Sequence, residues 1–351
     1  MNSNSNYLNG NMDLPKLSIC ISTYNRGQFI GETLDSILGQ MVSDVELVIV
    51  DGASPDNTPE VMAQYLLRYP EIRYFREQEN SGVDGDYDKA VGYARGKYCW
   101  LMTDDDLLYP KAISRVLESI NGAFDLVVVN SEIRNIDFSR VLKTRFLKFA
   151  SDREYTAKDG EKFFSEVGNC LSFIGGVVIK RNLWHERDRS SYYGTLFIHV
   201  GVIFQHPPIN RVKVIADPLI IIRYGNAMWT SRGFEIWMFK WPQLIWSFPD
   251  FSDQSKSVVC SKEPWRLIKK LILYRATGGY AMSEYHHFIE DKTKGLSRGM
   301  YMAIAMFPAT IANFLASLYC VCMNRNARSG LYELSRSRHA TWASRFLTRF
   351  L

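Results

Sequence analysis

Clustered metal-binding pairs are absent. The six cysteines, at positions 20, 99, 170, 260, 320 and 322, form no CxxC and stand in no Cys/His cluster. That excludes a zinc site of the usual spacing and makes a reduced, cytosolic chain the simplest reading. A strong charge excess is missing too: 42 Lys and Arg against 37 Asp and Glu leave +5 over 351 residues, too little for a duplex nucleic-acid binder held by phosphate neutralisation. Repeats and collagen-like composition are also lacking. With 46% hydrophobic residues the chain is not disordered, and its length suits one large domain or two ordinary ones. Its first fifteen residues, MNSNSNYLNGNMDLP, carry neither a basic n-region nor an apolar h-region, so a flexible lead-in is expected there rather than a secretory signal.

What is present is alternation. From Lys16, short apolar runs alternate with longer periodic ones, the pattern of strands joined by helices over a largely parallel sheet. Strands are expected over 17–22, 45–50, 72–75, 97–102 and 126–130, with helices over 29–40, 58–69, 86–95 and 110–120. Thr58 followed by Pro59 reads as a helix start. Residues 131–170 look irregular and charged, strand character returns over 174–179 and 212–224, and from Phe234 the pattern is helical. An α/β half is thus followed by an α-rich tail.

In open α/β sheets ligands bind beyond the carboxyl ends of strands. Three polar clusters fall there: STYNR (22–26), DGASPDNT (51–58) and TDDD (103–106). Neither GxGxxG nor GxxxxGK[ST] occurs, which disfavours a dinucleotide fold and a P-loop ATPase. Three consecutive carboxylates at the end of a buried strand repel one another, and a divalent cation bearing an anionic ligand relieves that repulsion. The plain alternative is a solvated acidic turn capping the next helix. Asp84, Asp86 and Asp88 alternate in GVDGDYDKA (82–90) like a calcium loop, but an EF-hand needs Gly at Lys89 and Glu at Arg95.

STYNR, VDGASPDNT and GKYCWLMTDDD with a following LLYPKAI together resemble the inverting family 2 glycosyltransferases of the GT-A fold, over roughly residues 16–230. GVDGDYDKAVGYARGKYCWLMTDDD, FIGGVVIKRNLW and YYGTLFIHV look most like bacterial abequosyltransferases and related O-antigen sugar transferases. The resemblance implies a GT-A domain with a mostly parallel central sheet and a helical C-terminal extension. Thr23, Tyr24, Asn25 and Arg26 would line the nucleotide pocket, and the Asp51 carboxylate would reach the base. Asp104 would lie near the ribose, and Asp104, Asp105 and Asp106 would share the Mn²⁺ or Mg²⁺ of a D-x-D motif. Asp84 or Asp88 would contact the donor ribose or sugar, unless they only cap a helix. Gly175 and Gly176 resemble an acceptor-side turn, which tight strand packing explains equally well. Arg223 would pair with phosphate and Trp229 would offer a stacking surface, although Arg223 also suits a surface ion pair.

An inverting transfer needs a base for the acceptor hydroxyl. The family often places an Asp of an E-D pair at a helix start, but the corresponding GTLFIHVGVIF has no carboxylate and presents His199 instead. An imidazole titrates near neutrality, yet a lone His on an apolar helix also suits the core, so Asp188 and Glu186 are the alternatives.

Residues 300–323 carry no formal charge and are long enough to cross a bilayer, but Pro308 and Asn313 interrupt them. Two helices broken at Pro308, lying at the interface or on the catalytic domain, fit as well. Beyond them Arg325, Arg328, Arg336, Arg338, Arg345 and Arg349 face only Glu333 among apolar side chains, a basic amphipathic pattern for an anionic membrane surface. The expected layout is a lead over 1–15, a catalytic domain over 16–230, a helical extension over 231–298 and a membrane-associating tail over 299–351. The expected reaction moves a hexose or deoxyhexose from a nucleotide-diphosphate sugar to a polyprenyl-diphosphate-linked oligosaccharide, at the cytoplasmic face of a bacterial inner membrane and with no nucleic acid involved. A sugar-1-phosphate nucleotidyltransferase is the rival enzyme, although STYNRGQF lacks the lysine expected after its first strand. A non-catalytic, membrane-attached sugar-binding protein is the other rival.

Overall fold

The computed structural model describes residues 14–226, 232–323 and 328–350. Its first half alternates β1 (Leu17–Thr23), α1 (Ile30–Leu38), β2 (Val45–Asp51), α2 (Thr58–Arg68), β3 (Arg73–Arg76), α3 (Gly82–Tyr93) and β4 (Tyr98–Met102). β1, β2 and β4 are mostly apolar and almost wholly buried because both of their faces are covered. Ile19, Ile21, Leu47, Ile49 and Trp100 point to the side of Ile30 and Leu34 of α1. Cys20, Val48, Val50 and Leu101 point to the side of Tyr87 and Val91 of α3.

The chain then adds β5 (Leu107–Leu108), α4 (Ala112–Ile120), β6 (Leu126–Asn135), β7 (Val141–Lys143), β8 (Arg153–Thr156), α5 (Gly160–Val167), β9 (Val177–Lys180), α6 (Arg181–Glu186), α7 (Ile198–Phe204) and β10 (Arg211–Tyr224). The sheet order is β3-β2-β1-β4-β9-β6-β10-β5, with β7 on β6 and β8 on β10. Most of the ladder is parallel, through β3-β2-β1-β4 and again at β6-β10. β9 runs antiparallel between β4 and β6. β10 shifts register on either side of Pro218, a residue with no N–H for the ladder.

Four expectations shift. The segment 131–170 is ordered into the end of β6, then β7, β8 and α5. These elements are short: β8 buries only Tyr155, and α5 only Phe163, Phe164 and Val167. α3 starts at Gly82 rather than near Asp86, and the strand expected from Ile174 begins at Val177, after a 3₁₀ turn over Ile174–Gly176. Thr58 opens α2 without capping it by its side chain; its hydroxyl accepts from Arg26 N–H and donates to Asp56.

From Gly233 the described chain is helical to its end. The boundary expected at residue 299 falls inside the helix Gly295–Met306, which is bent by 92° from its successor Ala309–Met323. No single described helix is long and apolar enough to cross a membrane; only this bent pair passes, by length and composition. One stripe of Ala309–Met323, with Ala312, Ala316 and Cys320, is buried against Ala276, Leu331 and Leu334. Asn313, which breaks the apolar run in the sequence, is wholly buried. Its amide donates to Ala276 O at 3.2 Å and Leu334 O at 3.0 Å, and its carbonyl accepts from Thr341. Small side chains and this one amide thus join three tail helices.

Candidate functional site

The loops after β1 and β2 are tied together by backbone donors. Asn25 N–H reaches Ser54 Oγ, Arg26 N–H reaches Thr58 Oγ1 and Gly27 N–H reaches Asp56 Oδ2, each at 2.9 Å. Asn25 and Ala53 take positive φ, 58° and 63°, conformations that cost an L-residue energy and mark tightly determined backbone. At Gly52 an added Cβ would lie 2.5 Å from Asp86 Oδ2, so the second loop is pressed against α3.

The three aspartates sit at the rim beside these loops. Asp104 Oδ1 is 3.5 Å from Arg26 Nε and Asp105 Oδ2 is 3.4 Å from Arg26 Nη2. The guanidinium is itself buried, and its Nη1 donates to Asn226 O at 3.0 Å. Asn226 Nδ2 in turn donates to Asp105 Oδ2 at 2.8 Å. Asp106 is turned away: Thr103 Oγ1 donates to one oxygen and the backbone N–H of Arg223 to the other, the latter at 2.7 Å. Among the described residues no three carboxylate, imidazole or thiolate groups form a ready cage for a metal. A cation that takes one or two carboxylates and completes its shell with water and phosphate needs no such cage. Asp104 and Asp105, opening toward the same cationic side chain, fit that demand; Asp106, already engaged on both oxygens, does not.

The sequence profile described as Glycosyl transferase family 2 matches residues 18–177, just under half of the chain. That segment is a family 2 glycosyltransferase domain. Abequosyltransferase RfbV of Salmonella typhimurium is 27% identical over 230 residues, which are 62% of this chain and 69% of that protein. Chondroitin synthase of Escherichia coli is 32% identical over 124 residues, 35% of this chain and 18% of that one. Among solved structures, S. aureus TarS 1-349 in complex with UDP aligns over 95% of this chain and 90% of that chain, with a TM-score of 0.54 and 15% identity. The same protein in complex with UDP-GlcNAc aligns over 91% of each chain, with a TM-score of 0.52 and 16% identity. These two likenesses establish the GT-A fold.

The remaining expected site residues of the transferase fall into three groups. Thr23 and Asp51, at the ends of adjacent strands, are buried. The Asp51 carboxylate is already spent on Ser54 N–H at 2.8 Å and Tyr74 O–H at 2.6 Å, with Arg76 at 3.9 Å. Tyr24 lies beside Thr23 in the first loop, and Trp229 lies outside the described residues.

A second group proves structural. Arg223, expected on phosphate, spends its guanidinium inside the protein: Nε donates to Asp105 O at 2.8 Å, Nη1 to Ile136 O at 2.8 Å, and Nη2 pairs with Glu32. It holds the acid loop instead. Asp84 caps the start of α7, accepting from Leu196 N–H at 2.8 Å and Ile198 N–H at 3.0 Å. Asp88 accepts from Trp184 Nε1 at 2.7 Å and Tyr193 O–H and pairs with Arg189. Added Cβ atoms would meet the Phe173 ring at Gly175 and Val129 O at Gly176, so packing accounts for both glycines.

The third group is the candidate bases. His199 does not face solvent: it is 1% exposed, its Nε2 lies 2.7 Å from Leu171 O, and burial pushes it down to about 4. It is a core histidine, held neutral by desolvation. Asp188 is exposed, and hydrogen bonds from Ser191 and Ser190 hold it below the usual carboxylate range, which weakens it as a base. Glu186 ends the short helix α6, next to these residues.

Sequence reasoning missed Asn226 and Glu32. Asn226 follows Gly225, whose φ is +106°, and a Gly-Asn pair after a long strand was the available signal. Glu32 had none, since it occupies an ordinary face of α1.

Burial, with the neighbouring Asp105 charge next in weight, pushes Asp104 up to about 7; burial also raises Asp105 and lifts Asp106 well above the usual range. With a folded-state pKa above the unfolded one, the ionised Asp104 costs stability fully above about pH 7, and that cost is relieved as pH falls. In the cation-free protein, Asp104→Asn is expected to raise the urea midpoint over wild type at pH 8, with the gain shrinking toward pH 5.5. A pH-independent difference would contradict this assignment.

Proposed function

We propose that the protein transfers a hexose or deoxyhexose, with inversion, from a nucleotide-diphosphate sugar to a hydroxyl of a polyprenyl-diphosphate-linked oligosaccharide, in bacterial O-antigen or similar surface-polysaccharide assembly. The observation that carries this reading is the pair of buried carboxylates, Asp104 and Asp105, facing Arg26 at the rim of β1 and β4 within a family 2 domain. Its likeness to an abequosyltransferase and a chondroitin synthase supports sugar transfer in polysaccharide assembly. The UDP and UDP-GlcNAc complexes of TarS support a nucleoside-diphosphate donor.

A bound Mn²⁺ or Mg²⁺ would neutralise charge developing on the departing diphosphate. Asp104 and Asp105 would hold it. Arg26, released from those carboxylates, has the fork of donors suited to phosphate oxygens. Asn226 orients the Asp105 carboxylate, and Arg223 with Glu32 fixes the peptide that carries it.

The tail supports membrane attachment. Leu296, Met306, Ile311, Leu315, Trp342 and Phe346 are exposed on the same helices whose opposite sides are packed, and exposed Arg345 and Arg349 lie among them. An apolar face edged by arginines suits an anionic lipid surface, which supports a peripheral or monotopic position at the cytoplasmic leaflet.

A thermal-shift screen of UDP, GDP, CDP and dTDP tests the donor site. One diphosphate is expected to stabilise the protein in Mn²⁺, by about 2.7 kcal/mol at a hundredfold excess over Kd, and to lose that effect in EDTA. Asp105→Ala should fold yet lose both the shift and sugar turnover; normal turnover by that variant in EDTA would remove the cation from the account. Flotation with phosphatidylglycerol vesicles tests the tail: the full chain should float at low salt, and the triple change Ile311→Ser, Leu315→Ser and Trp342→Ser should sink. Equal flotation of both proteins would contradict the lipid-facing surface.

A further inference from the structure

We infer that the helix Arg328–Arg336, although remote in sequence from the catalytic domain, is a positioning element of the donor site, acting through Tyr332 and Glu333. The inference rests on the reading that the Asp104–Asp106 crevice takes a nucleoside diphosphate. It starts from the alternation of side chains at the end of β10. Arg223 turns toward the acid loop, where its N–H holds Asp106 and its Nε holds Asp105 O. Tyr224 turns the other way, and its hydroxyl donates to Glu333.

Residue Ile136 is gripped from both ends of its peptide. Its carbonyl accepts from Arg223 Nη1 at 2.8 Å, and its N–H donates to the Tyr332 hydroxyl at 3.2 Å. The Tyr332 ring also lies against the strap that follows β10: a Cβ at Gly225 would be 3.1 Å from its Cε1. Tyr224 and Tyr332 have ring centroids 6.3 Å apart. Behind Tyr332 the helix is fixed, because Leu331 and Leu334 are buried against Ala312 and Ala316, and Leu334 O accepts from Asn313.

The strap 223–226 is therefore clasped between two surfaces. One is the acid loop with Arg26; the other is the tail helix. Two residues on the strap contact the acid pair or its counter-ion: Arg223 through Asp105 O, and Asn226 through Asp105 Oδ2 and Arg26 Nη1. Loosening Tyr332 frees both Ile136 N–H and the Gly225 backbone, so Asn226 and Arg223 lose their fixed distance from Asp105. Sites that bind through a few aligned groups are sensitive to displacements of this kind.

The test uses the full chain and the diphosphate, among UDP, GDP, CDP and dTDP with Mn²⁺, that stabilises wild type most. Tyr332→Ala should weaken its Kd roughly tenfold, the scale of one aligned hydrogen bond, and speed hydrogen exchange over 132–138 and 222–226. Tyr332→Phe, which keeps the ring on Gly225, should recover part of both, and Tyr224→Phe should loosen 222–226. Leu331→Ala, which weakens the packing behind Tyr332 but keeps its hydroxyl and ring, should lower the unfolding midpoint while weakening Kd less than Tyr332→Ala does. The inference is overturned if Tyr332→Ala keeps wild-type Kd and exchange, or if Leu331→Ala weakens binding as much as Tyr332→Ala. If wild type binds none of the four diphosphates, the donor-site reading fails, and unchanged exchange in Tyr332→Ala would still refute the positioning role.

Discussion

Arg26 placed between Asp104 and Asp105 is the contact on which the rest of the site depends. β4 is buried on both faces, so whatever follows it leaves the sheet at its rim with little water around it. Two ionised carboxylates there cost several kcal/mol each unless a positive group answers them. Arg26 answers them from the end of β1, the strand directly paired with β4. Its backbone N–H is in turn fixed by Thr58 after β2. The acid pair, the first loop and the second loop are therefore one electrostatic unit, and in the proposed reaction a cation with its diphosphate would compete for the place that Arg26 holds.

Much of this was legible because both-face burial writes itself into sequence as dense apolar runs. β1, β2 and β4 announce themselves this way, and the polar residues after them mark the rim. The short pieces between β6 and β9 were not legible: a four-residue strand burying one tyrosine has no period to read. Direction was equally hidden. Arg223, Asp84 and His199 have the right chemistry for phosphate, donor and proton, but their side chains are committed to Glu32 and Ile136 O, to the start of α7, and to Leu171 O. Composition offers a list of capable groups, and only packing says which are already spent.

The tail shows the reverse case. Its uncharged run looked like a bilayer span interrupted by Pro308 and Asn313. In the fold the proline stands at a right-angle bend, and the asparagine is the polar pin that joins three helices. Those same helices carry an exposed apolar face on one side and, through Arg328–Arg336, press on the strap beside Asp105. A segment that reads as an appendage is continuous, by hydrogen bonds through Tyr332 and Ile136, with the acid loop.

Anomalous diffraction from crystals of the full chain holding Mn²⁺ and the nucleoside diphosphate it binds best would locate the cation relative to Arg26. A manganese peak is expected at the Asp104 and Asp105 carboxylates, with Arg26 withdrawn from them and turned to the diphosphate. A bound nucleotide with no manganese at those carboxylates, and Arg26 still closed over both, would contradict that expectation.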